Sequence, residues 1–165
     1  MSPSSINTQV KAMNISEGDS ILSSEAVKAA AAEIIDEIDE LDSERIDLQT
    51  EIVTVTEIDD EDHQDECDEL ETMIDNLRLQ AEELREENKD LLEFAADLDN
   101  WSVVDTSLIC EDYFTQYAEE MARDIYGIDT NEWPCNLIDW DEAADQLLSD
   151  YTSIEFGTTT YYYLG

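Results

Sequence analysis

The fold is decided by residues 67–98, which read CDELETMIDNLRLQAEELREENKDLLEFAADL. Mostly apolar side chains recur in this segment at alternating spacings of three and four residues, which is the a/d heptad pattern of a coiled coil or a helical hairpin. The positions in the series are Cys67, Leu70, Ile74, Leu77, Ala81, Leu84, Asn88, Leu91, Ala95 and Leu98. The segment is therefore predicted to be helical, with one narrow apolar face.

An upstream segment carries the same spacing, but the two series are out of phase. Its positions are Val27, Ala31, Ile34, Ile38, Leu41, Arg45, Leu48, Ile52 and Val55. Continuing this series beyond Val55 would place acidic residues on the apolar face, so the helix is expected to break in the acidic block at residues 59–66. The block is predicted to be either the tip of an antiparallel helical hairpin or a kinked joint in a longer rod.

Asn88 occupies an a-type position of the downstream series. A polar side chain at such a position is a device that fixes the register and the oligomeric state of a coiled coil. We therefore expect this helix to self-associate and the protein to form a homodimer. The residues predicted to form the contact are Leu70, Ile74, Leu77, Leu84, Asn88 and Leu91.

The sequence changes in character near residue 100. Glu111–Tyr126 has one apolar helical face, and Asp139 is placed to cap a second helix that ends at Asp150. Two short segments rich in β-branched and aromatic residues, Ser153–Phe156 and Thr159–Leu164, predict a terminal β-hairpin.

These patterns predict a mainly α protein with a small α+β unit at its C-terminus. Residues 1–23 are polar and are predicted to be a flexible lead. Residues 24–99 are predicted to form an acidic coiled-coil region with a break near 59–66, and residues 100–165 the small α+β domain.

The net charge of the chain excludes some classes of function. The chain has 45 acidic and 7 basic residues, which gives a formal net charge of −38. Binding to nucleic-acid phosphates or to anionic membranes requires many Lys and Arg side chains, so direct binding to either is excluded. The three cysteines are too few for a disulfide framework. We therefore expect reduced thiols and a location in the cytoplasm of a host cell.

The acidic residues lie on the predicted helices rather than in a terminal tail. Residues 33–100 hold 28 acidic and 4 basic side chains, and runs such as Asp36-Glu37, Asp39-Glu40, Glu44 and Asp47 form rows of carboxylates along a helix. With a rise of about 1.5 Å per residue, the helical region carries roughly one net charge per 4.3 Å, or one per 2.1 Å when it is paired. B-DNA carries about one charge per 1.7 Å of its axis. The paired helices are thus predicted to approach the charge density of a duplex.

A charged helix exterior is usually only a solvated surface. Ordinary coiled coils, however, mix acidic and basic side chains at flanking positions so that these attract one another. Here like charges dominate, and each i,i+4 pair of them opposes folding by about a few tenths of a kcal/mol. This imbalance favours a role for the negative field in binding.

About fifty residues at the C-terminus carry a family resemblance. The segments are Tyr117–Ala122, Tyr126–Ile128, Asn131–Pro134, Ile138–Ala144 and Ser149–Phe156. They resemble the C-terminal part of ArdA-type antirestriction proteins, which are small, acidic, dimeric DNA mimics of phages and mobile elements. Those proteins begin with mixed α/β modules, whereas this chain has heptad-bearing helices there. The resemblance implies a non-enzymatic inhibitor of the DNA-binding groove of multisubunit restriction–modification enzymes.

Charge and resemblance together predict a DNA mimic that occupies the DNA-binding groove of a basic host protein, either a restriction–modification enzyme or another DNA-processing enzyme. Carboxylates would engage the Lys and Arg side chains that normally hold phosphates. The acids predicted to do so are Asp59, Asp60, Asp62, Asp65, Glu66, Asp68, Glu69, Glu82, Glu83, Glu86 and Glu87.

No catalytic residue, cofactor or metal is predicted. His63 and Cys67 have a spacing that suits zinc, but one His and one Cys in a solvated acidic block make a weak signal. Asp59–Glu71 lacks the ligand spacing of an EF-hand. Aromatic side chains near the C-terminus are expected to serve core and dimer packing rather than a binding surface. They are Trp133, Trp140, Tyr151 and Tyr161–Tyr163.

Two other functions stay open at this point. An acidic coiled-coil adaptor or scaffold would use its charge only for solubility, and its complexes would not weaken steeply with salt. An acidic histone-like chaperone would be sensitive to salt, but it would bind free basic proteins with little selectivity.

Overall fold

The computed structural model describes residues 15–56 and 64–165. In these ranges the fold is mainly helical with one small antiparallel sheet, which confirms the predicted fold class at that level. The helices are α1 (Ser24–Thr56), α2 (Gln64–Glu87), α3 (Lys89–Asn100), α4 (Phe114–Asp124) and α5 (Trp140–Leu148). The strands are β1 (Ile21–Ser23), β2 (Ser107–Cys110), β3 (Thr152–Phe156) and β4 (Thr159–Tyr163). None of these helices is long and apolar enough to cross a membrane.

The chain divides into two compact units. The first, here called the sheet unit, combines the residues up to Ala30 with Phe94–Gly165. The second, here called the acidic hairpin, is Ala31–Glu93. The predicted boundaries at residues 23 and 99 differ from these, because α1 begins and α3 ends inside the sheet unit.

The sheet has the strand order β1-β2-β4-β3, with all neighbours antiparallel. The predicted terminal hairpin is confirmed as β3 and β4, in which Ile154 pairs with Tyr161. The lead was expected to be flexible up to Ser23, but Ile21–Ser23 forms β1 and buries Leu22. This strand has three residues and pairs with a segment more than eighty positions away, so no local alternation marks it.

Aromatic rings fill one side of the sheet unit. Tyr161 is fully buried, and the rings of Phe94 and Phe156 stack beside it with their centroids 4.7 Å apart. The Tyr161 hydroxyl donates to the carbonyl of Asp19 at 3.0 Å and accepts from the backbone N–H of Gly18 at 3.1 Å. These bonds attach the chain before β1 to the centre of the sheet, and burial raises the pKa of the Tyr161 phenol.

A second apolar cluster holds α4 and α5. Phe114 on α4 and Ala144 on α5 are buried in it, with Tyr117, Tyr151 and Tyr162 partly buried around them. The structure begins the predicted 111–126 helix as a 3-10 turn and ends α4 at Asp124. The predicted cap is confirmed, because a carboxylate oxygen of Asp139 accepts from the N–H of Glu142 at 3.3 Å. The helix that it caps ends at Leu148, two residues earlier than expected.

The aromatic side chains that were expected to serve core and dimer packing differ in their burial within one chain, and the dimer packing stays a prediction. Tyr161 and Tyr163 are buried and Tyr151 is partly buried, as expected of core residues. Trp133, in contrast, is 79% exposed, because it lies in the connection between α4 and α5 rather than on a packed face.

In the acidic hairpin, α1 and α2 run side by side in opposite directions. Arg85 near the end of α2 pairs with Asp42 on α1 at 2.6 Å, while Ile52 farther along α1 lines a cavity with Ile74 near the middle of α2. Of the two interpretations of the break, the structure therefore supports the antiparallel hairpin. Of the break predicted at residues 59–66, residues 59–63 lie outside the described residues, whereas residues 64–66 already belong to α2.

Candidate protein-binding surface on the acidic hairpin

The apolar periodicity determines which side chains of the hairpin face the solvent. Every position of both predicted series is buried or partly buried, with Ile34, Ile38 and Ala81 among the most buried. Because side chains three and four residues apart share one helix face, the acids between these positions point away from the packed face. The hairpin therefore presents carboxylates outward along both helices.

The predicted partner-binding acids agree with this arrangement wherever the structure describes them. Asp59, Asp60 and Asp62 lie outside the described residues, as does the side chain of Glu66. The remaining members of the set are all exposed on α2. They are Asp65, Asp68, Glu69, Glu82, Glu83, Glu86 and Glu87.

A row of carboxylates on α1 was not included in that predicted set. Its six members are three or four positions apart and all exposed, so they form one stripe along the helix. The stripe, here called the α1 acid row, consists of Glu33, Asp36, Glu40, Glu44, Asp47 and Glu51. The six carboxylates are spread over about 27 Å of helix axis. The spacing was readable in the sequence, but exposure of the whole stripe depends on which face α2 covers.

Basic side chains neutralise little of this surface. Residues 31–56 and 64–93 contain 21 acidic and four basic residues, so at least 17 negative charges stay uncompensated within these ranges. Arg45 and Arg85 both pair with Asp42, at 3.3 and 2.6 Å, and Arg78 lies 3.6 Å from Asp75. Three of the four cations are thus engaged with only two carboxylates.

Asp42 differs from the other acids because it joins the two helices. The hydrogen bond from Arg85 is the main reason why the pKa of this carboxyl lies below its usual value, and Arg45 lowers it further. Its ion pair therefore joins α2 to α1, whereas the members of the α1 acid row are exposed along one helix. The sequence alone did not identify Asp42, because the pairing depends on the register between α1 and α2.

A cavity of about 320 Å³ opens between the two helices. Ile52 and Ile74 provide apolar lining, while Glu71, Asp75 and the amide of Gln49 provide polar lining. Lys and Arg side chains combine an aliphatic stem with a cationic head, so this lining is suited to a basic side chain.

The predicted oligomerisation residues lie on the packed side of the hairpin. Leu70 is buried, and Ile74, Leu77, Leu84, Asn88 and Leu91 are partly buried, within a single chain. Asn88 lies at the one-residue break between α2 and α3, where its side-chain amide donates to the carbonyl of Leu84 at 2.9 Å. The homodimer therefore stays a prediction, and in one chain Asn88 bonds to its own helix.

No metal centre is found within residues 15–56 and 64–165, where no three His, Cys, Asp or Glu side chains are grouped to hold an ion. Cys67 is a partly buried free thiol, and His63 lies outside the described residues. Comparisons with protein-family models, curated proteins and solved structures find no match to this chain. The ArdA-type resemblance of the C-terminal residues therefore stays an expectation from the sequence.

Proposed function

We propose that this protein is a DNA-mimic inhibitor that occupies the DNA-binding groove of a host restriction–modification enzyme or another DNA-processing enzyme. The observation that carries the proposal is the exposed α1 acid row, which holds six carboxylates at helical spacing with no basic side chain among them. Together with the exposed acids of α2, the row forms an elongated anionic surface on two adjacent helices. Two adjacent helices are roughly 20 Å wide, which is close to the width of a duplex.

The inhibition needs no chemical step. A groove that binds DNA presents Lys and Arg side chains that contact phosphates. Carboxylates on the hairpin replace those phosphates in charge-assisted hydrogen bonds and ion pairs. The long-range negative field accelerates association, and the complex prevents DNA from entering the groove.

The central experiment measures competition with DNA. A purified multisubunit restriction–modification enzyme is loaded with a fluorescent duplex, and the protein is titrated in while fluorescence anisotropy is recorded. We expect the duplex to be displaced, and we expect the affinity of the protein to fall steeply as salt is raised, because the contacts are ionic. Binding that resists both salt and competing duplex would support an adaptor and overturn the proposal.

Two variants with equal loss of charge locate the surface. The first neutralises four acids of the α1 acid row, as D36N/E40Q/E44Q/D47N. The control neutralises four exposed acids of the sheet unit, as D112N/D145N/D150N/E155Q. We expect the first to lose affinity by about tenfold or more and the control by less than about threefold, because only the first removes contacting charges. Equal losses would indicate attraction by net charge alone.

Core histones serve as the probe for the chaperone alternative. A DNA mimic shaped for one groove should bind its target enzyme far more tightly than it binds histones at the same salt concentration. Equal affinity for both would favour a histone-like chaperone.

A further inference from the structure

The connection between α4 and α5 exposes large apolar side chains that neither apolar cluster of the sheet unit uses. The exposed fractions are 71% for Ile125, 70% for Tyr126, 79% for Trp133 and 73% for Leu137. Single exposed apolar residues are normal on a protein surface, whereas four large ones in a connection of thirteen residues make it a candidate interaction site. The segment that carries them, residues 125–137, is here called the apolar connection.

The backbone of the apolar connection is held in a defined conformation. The N–H of Ile128 donates to the carbonyl of Ala122 at 3.1 Å, and the N–H of Leu137 donates to that of Pro134 at 3.0 Å. Thr130 is buried and donates its hydroxyl to Glu119 at 2.9 Å. Because these bonds already fix the segment, little further ordering is needed on binding, which favours affinity.

The charges around the apolar connection indicate what covers it. Asp124, Asp129, Glu132 and Asp139 are exposed within or beside it. Arg123, the single basic residue among 101–165, is paired with Glu119 at 2.8 Å. A second copy of this chain would bring the same acids against this rim and be repelled, whereas a basic surface would be attracted.

We infer that the apolar connection is a docking surface for a basic protein that has an apolar pocket surrounded by Lys and Arg. The inference rests on the proposed function, because we take this partner to be the same DNA-binding protein that the acidic hairpin inhibits. Trp133 and Tyr126 belong to the residue types that dominate binding energy at interfaces, and the surrounding acids form a polar rim. The surface adds affinity that salt does not screen and distinguishes one basic protein from another.

A pair of matched variants tests the docking surface with the same restriction–modification enzyme as probe. W133A/L137A removes two exposed anchors, and W101A/L164A removes the same two residue types from exposed positions of the sheet unit outside the connection. We expect W133A/L137A to weaken binding by about tenfold or more at both low and high salt, mainly through faster dissociation. W101A/L164A should change it by less than about twofold. Equal effects of the two variants, or a loss that disappears at high salt, would overturn the inference.

The two proposals fail in different ways. If the α1 acid row variant loses binding and W133A/L137A does not, the docking surface is wrong and the DNA-mimic proposal stands. If W133A/L137A loses binding while duplex DNA and the acid row variant have no effect, the docking surface stands and the DNA-mimic proposal is wrong.

Sedimentation and fluorescence identify other occupants. A wild-type dimer that W133A/L137A converts to a monomer would show that a second copy covers the connection, and would overturn the inference. The variant W101F/W140F leaves Trp133 as the single tryptophan, whose emission is excited selectively at long wavelength. We expect its emission in the free protein to be readily quenched by acrylamide; strong protection would mean that a segment of the same chain covers it, which also overturns the inference.

Discussion

The sheet unit and the acidic hairpin are held together in different ways. The described part of the sheet unit has 19 acidic residues among 88, and its core contains the fully buried Tyr161 and stacked phenylalanines. The described part of the hairpin has 21 acidic residues among 56, and its most buried side chains are small or aliphatic, such as Ala31, Ile34 and Ala81. Apolar burial thus concentrates in one unit and charge in the other.

This difference has a consequence for stability. A narrow face of Ala, Ile and Leu buries less apolar area than a layer of aromatic rings, so it contributes less free energy. The hairpin must in addition overcome repulsion among its carboxylates. We therefore expect the hairpin to be the less stable unit. Under the proposed function this cost in stability is unavoidable, because the same exposed acids bind the target.

Two optical signals follow the units separately. All three tryptophans, Trp101, Trp133 and Trp140, belong to the sheet unit, so tryptophan fluorescence reports on its unfolding. Far-ultraviolet circular dichroism is dominated by the long helices and reports mainly on the hairpin.

The largest effect is expected from Tyr161→Ala. The substitution removes a fully buried ring and its contacts with Phe94 and Phe156, and it should lower the free energy of unfolding of the sheet unit by about 3–5 kcal/mol. Fluorescence-detected urea unfolding measures the change. Tyr161→Phe is the control, since it loses only the hydroxyl bonds and should cost about 1 kcal/mol.

A substitution of a large apolar residue by alanine in the hairpin provides the comparison with Tyr161→Ala. Ile74 is partly buried and already lines a cavity, so Ile74→Ala should cost less than about 2 kcal/mol. If Ile74→Ala lowered the free energy of unfolding as much as Tyr161→Ala does, the two cores would contribute equally to stability.

Periodicity predicted the hairpin better than it predicted the sheet unit. Both helical series were readable because each long helix repeats its pattern over many turns. The strands β1 and β2 were not predicted, because they have three and four residues and the pairing of Leu22 with Leu108 is not local. In the sequence, the members of the α1 acid row stand out only as separate acidic runs. The exposure of Trp133 was not predicted, because the connection in which it lies has no repeating apolar pattern.

The next effect in size is a gain in stability. The variant D36N/E40Q/E44Q/D47N removes like-charge pairs at i,i+3 and i,i+4 along α1, where none of its members has a basic neighbour at that spacing. It should stabilise the hairpin by about 1 kcal/mol while weakening target binding. Circular dichroism during thermal unfolding measures the change, and high salt should bring the wild type close to the variant. A destabilised variant would contradict charge repulsion as the dominant effect.

A smaller effect of opposite sign is expected at Asp42. The hydrogen bond from Arg85 is the main reason why its pKa is lowered in the folded state, so its contribution to stability is present above the unfolded pKa and is lost as pH falls through the folded value. Asp42→Asn should therefore lower the melting temperature of the hairpin at neutral pH and have little effect in strong acid. Asp75→Asn is the control, because the partner of Asp75 lies on the same helix. An equal shift at both pH values would exclude the ion pair as the cause.

The smallest effect is expected at Glu17, where an acid stabilises the sheet unit. Glu17 accepts hydrogen bonds from the N–H of Thr158 at 2.6 Å and from the hydroxyls of Thr158 and Thr159, at the turn between β3 and β4. The bond from the Thr158 hydroxyl is the main reason why the pKa of this carboxyl is lowered. Its stabilisation is present above the unfolded pKa and is lost as pH falls through the folded value.

Glu17→Gln should therefore slightly destabilise the sheet unit at neutral pH and reduce its loss of stability in acid. Glu40→Gln, on the α1 acid row, removes the same charge and should slightly stabilise the hairpin, because Glu40 has acidic neighbours in place of donors. Fluorescence follows the first variant and circular dichroism the second. Opposite signs from identical substitutions would show that donors fix the acid in the sheet unit, whereas the acids of the hairpin repel one another until a basic partner binds; equal signs would remove this distinction.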